Sequence, residues 1–482
     1  MPLRIDAAKT DAAETSTGER AWSKTGFLFD VDGEPNLFLA NGSRVYGVDA
    51  EFADRYRALV ERGDDGAIVD LLAASGLEDR IYVNDDVPEP FPIHAISIAV
   101  AQKCNLGCVY CYAKGGAFGS EPKNMPAEIA LKAVENLIQG VEPGEKVNIA
   151  FLGGEPLVNR PVLRAATERA LALGAARDVK VNFSITTNGT LLAAEDAAFF
   201  EQHGFAVTIS LDGVGEVHDR QRPYRNGRGS FDAILRRVEP LLQKQKRMQV
   251  SARITVTPDN LCLRQTLDHF VALGFFSVGF SPMLSSPTGQ GEMGSRELDV
   301  MLEQMIDCGR AFEAHVMSDR RYPFLNMLTA LKEIHRGTHR PYPCGAGAGY
   351  VGVSAEGGYF ACHRFVDDAK GAMGTIETGV DVAIQSDWLT QRHVHAQEPC
   401  GSCWARYLCG GGCHHEVIHR GRPACTYIRG WLAYCLASYV RLSAACPQFF
   451  ASGSAMAPPR PAPVNLDRQP EKAAVTTLRP VR

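Results

Sequence analysis

The chain has 482 residues, of which 45% are apolar and 22% charged, with a formal charge of -5. This is the composition of a globular protein, and the slight acidity offers no basic footprint for nucleic acid or anionic lipid, so neither a nucleic-acid nor a membrane partner is expected. At about 150 residues per domain, the length calls for two to four domains.

Residues 1–22 are polar and Ala/Thr-rich, and are expected to be disordered. The N-terminus lacks the apolar core of a signal peptide, and no continuous apolar run of about 18 residues occurs, so a cytoplasmic protein is expected. Residues 23–90 combine strand-like pieces (GFLFDV, NLFLA, RVYGVD) with helix-like text (EFADRYRALVERG, GAIVDLLAASGL), ending in the linker VNDDVPEPFP. They predict a small α+β module.

Between residues 91 and 290, AISIAV, KVNIAFL, KVNFSITT, AVTISL, VSARITVT and FSVGFS alternate with amphipathic helical text. Six β/α units predict a parallel sheet, most simply a partial (β/α)6 barrel of the TIM type. Chemistry in such folds sits on loops after the strands. Here Cys104, Cys108 and Cys111 follow the first strand, GGEP the second, NGT the third and DG the fourth. Residues 291–340 read as a helical bridge and 341–450 as a Cys- and Gly-rich domain held by metal rather than by apolar burial. The Pro-rich tail at 452–482 is expected to be disordered.

Fourteen cysteines in a reducing compartment point to metal or cluster ligation rather than disulfides. Cys104-x3-Cys108-x2-Cys111 lets three thiolates face one point, one ligand short of a tetrahedral zinc or a fully ligated cluster. Cys344-x12-Gly357-x4-Cys362 and Cys400-x2-Cys403-x5-Cys409-x3-Cys413 follow, with a later Cys425 or Cys435; close spacings of this kind also occur in zinc ribbons.

CxxxCxxC after the first strand of a partial barrel resembles the radical S-adenosylmethionine (SAM) superfamily. That resemblance implies a [4Fe-4S] cluster on Cys104, Cys108 and Cys111 whose open iron chelates SAM, reductively cleaved to a 5'-deoxyadenosyl radical by electrons from a donor such as flavodoxin or ferredoxin. Tyr110 resembles the aromatic residue near adenine, Gly153, Gly154, Glu155 and Pro156 the loop for the SAM amino group, and Ser210 the ribose or carboxylate contact. Ile254 to Thr257 fall where the fifth strand lines adenine. The later cysteines resemble the SPASM domain, which implies two auxiliary [4Fe-4S] clusters and three in all. Carried over, Cys344, Cys362 and Cys413 would hold one auxiliary cluster, and Cys400, Cys403, Cys409 and Cys425 the other. Cys425 is preferred to Cys435, which falls in helical text with apolar neighbours. Some members carry a further Cys just before the first; HRGTHRPYPC has none, which leaves an open iron or a His or Asp ligand.

Members of this group act mainly on peptides and proteins. The 23–90 module resembles the element that captures a leader peptide by strand addition. CGGGCHHEVIHRGRPACTYIRGWLAYCL is similar to the quinohemoprotein amine dehydrogenase maturation group, which implies thioether bonds between Cys sulfur and an Asp or Glu methylene in a small subunit. The alternatives are an anaerobic sulfatase-maturation type of enzyme, which oxidises a Cys or Ser to formylglycine, and a non-catalytic metal-cluster scaffold that binds a peptide. For proton transfer, Asp212, Asp219 and Asp232 lie on the expected loop; Arg220, Arg222, Arg225 and Arg228 are candidates to clamp an acidic side chain. His414 and His415 directly follow a cluster cysteine and suit hydrogen bonding to its sulfur.

Overall fold

A computed structural model describes residues 22–77, 81–86 and 92–451. Residues 1–21, part of the 83–92 linker and the 452–482 tail lie outside the described residues.

The N-terminal module is an antiparallel sheet of β1 (Gly26–Val31), β2 (Glu34–Leu39) and β3 (Arg44–Gly47). Asp32-Gly33, both at positive φ, form the two-residue turn that joins β1 to β2 in the sense of the strand twist. Strand alternation gives the sheet two buried faces. Leu28, Leu37 and Leu39 pack on the helix Ala50–Arg62, which is N-capped by Asp49 accepting from the Phe52 N–H at 2.8 Å. On the other face Phe27 stacks on Trp404 of the Cys-rich section, with centroids 4.4 Å apart.

The next strands are β4 (Ala95–Gln102), β5 (Lys123–Asn124), β6 (Lys146–Gly153), β7 (Lys180–Thr187), β8 (Ala206–Ser210), β9 (Gln249–Val256) and β10 (Ser277–Pro282). Six of them lie parallel in the order β4-β6-β7-β8-β9-β10, with β5 a short antiparallel addition to β4. Neighbours in the sheet are neighbours in the chain, as in the expected (β/α)6 partial barrel.

The barrel does not end at its first strand. In the Cys-rich section, β11 (Tyr350–Val353) pairs parallel to β4, and β12 (Gly358–Phe360), β13 (Ala372–Thr375) and β14 (Gly379–Val380) follow antiparallel. Phe365, Trp404, Tyr407 and Leu408 of this section are buried in the same core as the barrel strands. The expectation that metal replaces apolar burial there is therefore corrected: irregular backbone hides its buried aromatics from any periodic pattern.

Helices Ser295–Met317 and Leu325–His335 form the bridge, and Ser295–Met317 packs on helix Cys425–Ala445. There the Glu313 carboxylate accepts from Tyr434 Oη at 2.6 Å and from Arg441 Nε at 3.0 Å. No helix among the described residues is long and apolar enough to cross a membrane.

Candidate functional site

Cys104, Cys108 and Cys111 sit half-buried on the loop leaving β4. Cys104 Sγ accepts from the Leu106 N–H at 3.4 Å and from Asn188 Nδ2 at 3.6 Å. Burial pushes the Cys108 thiol up to about 12 and the Cys104 thiol upward, and the neighbouring Cys111 adds to both shifts. As bare thiols Cys104 and Cys108 stay protonated at neutral pH, and a bound cation is what would ionise them.

The GGEP turn holds this loop by close backbone approach. A Cβ on Gly153 would lie 2.2 Å from the Ala101 carbonyl oxygen, and one on Gly154 2.4 Å from that of Lys103. Any larger residue would push the Cys104 segment away. Glu155 is fully buried and accepts from Leu157 N (3.0 Å), Thr187 Oγ1 (2.7 Å) and Asn188 N (2.7 Å), tying the loop after β6 to that after β7. Pro156 opens the short helix that follows.

A second network joins the loops after β4, β8 and β9. Tyr110 Oη donates to Asp212 Oδ2 and accepts from Arg222 Nη1 at 2.6 Å; Asp212 Oδ1 accepts from Thr255 N at 2.8 Å. Arg222 Nη1 stands 3.3 Å from Asp212 Oδ2. Ser210 ends β8, Ile254 is buried in β9, and buried Thr257 donates its N–H to Asn260 Oδ1 at 2.7 Å. Asp219 Oδ1 accepts from Ser230 N (2.7 Å) and Phe231 N (2.8 Å) at the start of helix Phe231–Lys244, while Asp232 is exposed in that helix's first turn. Arg222 is bound to Asp212 and Tyr110, and Arg225 Nη2 donates to the Gly115 carbonyl at 2.9 Å. Both are thus engaged by the protein's own loops rather than left to clamp a ligand; Arg220 and Arg228 are exposed.

His218 locks this loop: its Nδ1 accepts from Asp212 N at 3.2 Å and its Nε2 meets Ser230 Oγ at 3.0 Å. Burial, aided by the Arg222 charge, pushes its imidazole from 6.5 down to about 3. The unfolded chain binds a proton that the folded one refuses, so the contribution of His218 is complete above pH 6.5 and is lost as pH falls toward 3. His218→Gln is expected to flatten the loss of stability between pH 6 and 4 by up to about 1.4 kcal/mol per pH unit, one proton's worth. Urea unfolding across that range checks it; parallel pH profiles would defeat it.

In the Cys-rich section the thiols of Cys344, Cys362 and Cys413 stand within electrostatic reach of one another, and those of Cys400, Cys403, Cys409 and Cys425 form a second group. Cys435 joins neither: fully buried, its Sγ lies 3.9 Å from Met327 Sδ. Burial pushes the Cys362 thiol up to about 12 and that of Cys400 to about 11. Backbone N–H groups two residues on are aimed at sulfur at Cys104, Cys344, Cys362 and Cys409. Gly410, Gly411 and Gly412 all have positive φ; the Gly411 and Gly412 N–H groups turn toward Cys409 sulfur, while Gly410 N–H donates to the Arg406 carbonyl at 2.7 Å. A cavity of about 100 Å3 is lined by the four cysteines of the second group together with Cys413. Grouped sulfur donors met by backbone N–H groups fit iron-sulfur ligation.

His414 is buried against Trp388, and its Nδ1 accepts from Arg392 Nε at 3.3 Å. Arg364 Nη1, not a histidine, donates to Cys413 Sγ at 3.7 Å. A cavity of about 630 Å3 is lined by Tyr112, Ser285, Arg364, Asp368, His415 and Arg420 among others.

Residues 98–270 match the family model described as the Radical SAM superfamily. The serine-type anaerobic sulfatase-maturating enzyme of Klebsiella aerogenes is 26% identical over 353 residues, spanning 70% of this chain and 83% of that one. The solved structure of histidine-tagged anSMEcpe with bound AdoMet superposes with a TM-score of 0.63 at 18% identity, over 77% of this chain and 100% of that one. Native anSMEcpe with bound AdoMet and the Cp18Cys peptide gives 0.59 at 19% identity, over 73% and 99%. These relatives overturn the expected thioether-forming role: the likeness to quinohemoprotein amine dehydrogenase maturation proteins rests on residues 409–436, whereas the likeness to a sulfatase-maturating enzyme extends over most of the chain. Residues 98–270 are thus a radical SAM domain, set in a partial-barrel fold that continues into a C-terminal Cys-rich section.

Proposed function

We propose that the chain is a radical SAM maturase that oxidises a Ser or Cys side chain of a peptide or small protein to formylglycine. Cys104, Cys108 and Cys111 hold the SAM-binding [4Fe-4S] cluster. Cys344, Cys362 and Cys413 hold one auxiliary cluster, and Cys400, Cys403, Cys409 and Cys425 the other. When bound, these groups supply the adenosyl radical and take up the electron released by oxidation, with flavodoxin or ferredoxin as donor. Gly153, Gly154, Glu155 and Pro156 orient SAM from one side; Tyr110, Ser210, Ile254 and Thr257 line it from the other. Asp212 and Asp219 order the loop around this site, through Tyr110 with Arg222 and through the start of helix Phe231–Lys244.

The observation that carries this reading is the 630 Å3 cavity. Its wall carries Tyr112, next to Cys111 in the chain, and Arg364, which donates to Cys413 Sγ, so residues adjoining both sulfur groups face the same space. The serine-type Klebsiella relative supports the choice of reaction, and anSMEcpe with its peptide supports a peptide substrate. The exposed edge strand β3 offers a place for a leader segment to add as a strand. Fourteen free thiols suit a reducing cytoplasm.

The test is mass spectrometry of a serine-containing peptide after anaerobic turnover. The expected product has lost two hydrogen atoms and forms a hydrazone with a hydrazide reagent. A product of the same mass without carbonyl reactivity would sink the proposal.

A further inference from the structure

Helix His414–Arg420 carries His415-Glu416-Val417-Ile418-His419, two histidines four residues apart with a glutamate between. Four-residue spacing puts both imidazoles on one helix face; their rings are 4.5 Å apart. Asp368, from the turn after the short helix His363–Phe365, closes the group: one donor atom from each of Asp368, His415 and His419 lies within 4.8 Å of the others. All three line the 630 Å3 cavity.

The surroundings hold these donors in place. Asp368 Oδ1 accepts from Lys370 N at 3.0 Å, which aims Oδ2 at His419 Nε2, 2.8 Å away. Phe365 meets the His415 ring edge-on at 4.9 Å, and His415 Nδ1 is buried without a hydrogen-bond partner. Glu416 is bound to Arg364 at 2.6 Å, which removes it as the general base that this sequence pattern supplies in metalloproteases. The other cluster of this kind among the described residues, Asp85, His393 and His395, differs. Both nitrogens of His395 are occupied there, by Asp85 at 2.6 Å and Tyr407 at 2.7 Å.

We infer that His415, His419 and Asp368 bind a divalent transition metal of the zinc class on the cavity wall, apart from the thiol sites. Two imidazoles and a carboxylate suit zinc, and three protein donors leave one tetrahedral position for water or for an oxygen or sulfur of a side chain in the cavity. The inference stands independently of the formylglycine reading, since its readout is metal content and coordination.

The experiment uses the full chain with its iron and sulfide reconstituted anaerobically, given zinc and then desalted. One zinc per chain is expected, with zinc-edge X-ray absorption showing only nitrogen and oxygen neighbours at ~2.0–2.2 Å. The His415→Ala/His419→Ala variant is expected to lose that zinc with iron unchanged. Absence of zinc in the parent, sulfur neighbours at ~2.3 Å, or zinc retained by the variant overturns the site. Should that variant lose iron as well, Asp368→Asn decides: zinc affinity, read by chelator competition, is expected to fall at least about tenfold, and an unchanged affinity overturns the site. The His393→Gln/His395→Gln variant is expected to keep its zinc; losing it would move the site elsewhere.

Discussion

Replacing Cys104, Cys108 and Cys111 together by Ala is expected to lower the iron of the reconstituted protein from about twelve to about eight per chain, at four per cluster, and to abolish reductive SAM cleavage. The three thiols are half-buried on a loop rather than in the core, so the barrel strands keep their packing and the helical content holds. Their loss differs in kind from a loss in the Cys400 group, whose neighbours Trp404 and Tyr407 belong to the main core. Iron and sulfide analysis beside circular dichroism decides the matter. Unchanged iron would remove the cluster assignment, and continued SAM cleavage would remove the role.

Arg222→Met is expected to cost about 3–5 kcal/mol of folding stability. The Arg222 side chain is 11% exposed and that of Asp212 is fully buried, so the variant leaves a carboxylate in the interior without its cation. Tyr110 loses its donor in the same step and remains aimed at that carboxylate. Adding Asp212→Asn removes the stranded charge, so the double variant should regain part of the loss. Urea unfolding of the three proteins checks this. A double variant no more stable than Arg222→Met would show that the pair's charges are not what holds the loops after β4, β8 and β9.

Much was legible in the sequence because its signals are local. Apolar runs alternating with amphipathic helical text placed the barrel strands, and cysteine spacing together with GGEP marked the loops after the first two of them. Asn188, which donates to Cys104 Sγ, was visible only as part of an NGT turn. Arg222 looked like a free cation because its partners Asp212 and Tyr110 lie 10 and 112 residues away. The thioether expectation rests on residues 409–436, a short stretch that reports its own ligand pattern, while likeness to the Klebsiella sulfatase-maturating enzyme extends over 353 residues.

By itself the sequence determined the six β/α units, the strand after which the first thiols fall and the cysteine spacings, all consequences of backbone period and short loops. Only the tertiary structure decided that β11 extends the barrel sheet through β4 and that Asp368 meets His415 and His419. Those juxtapositions join residues far apart in the chain. They are set by how the Cys-rich section packs its aromatic residues against the barrel, and no local pattern carries that information.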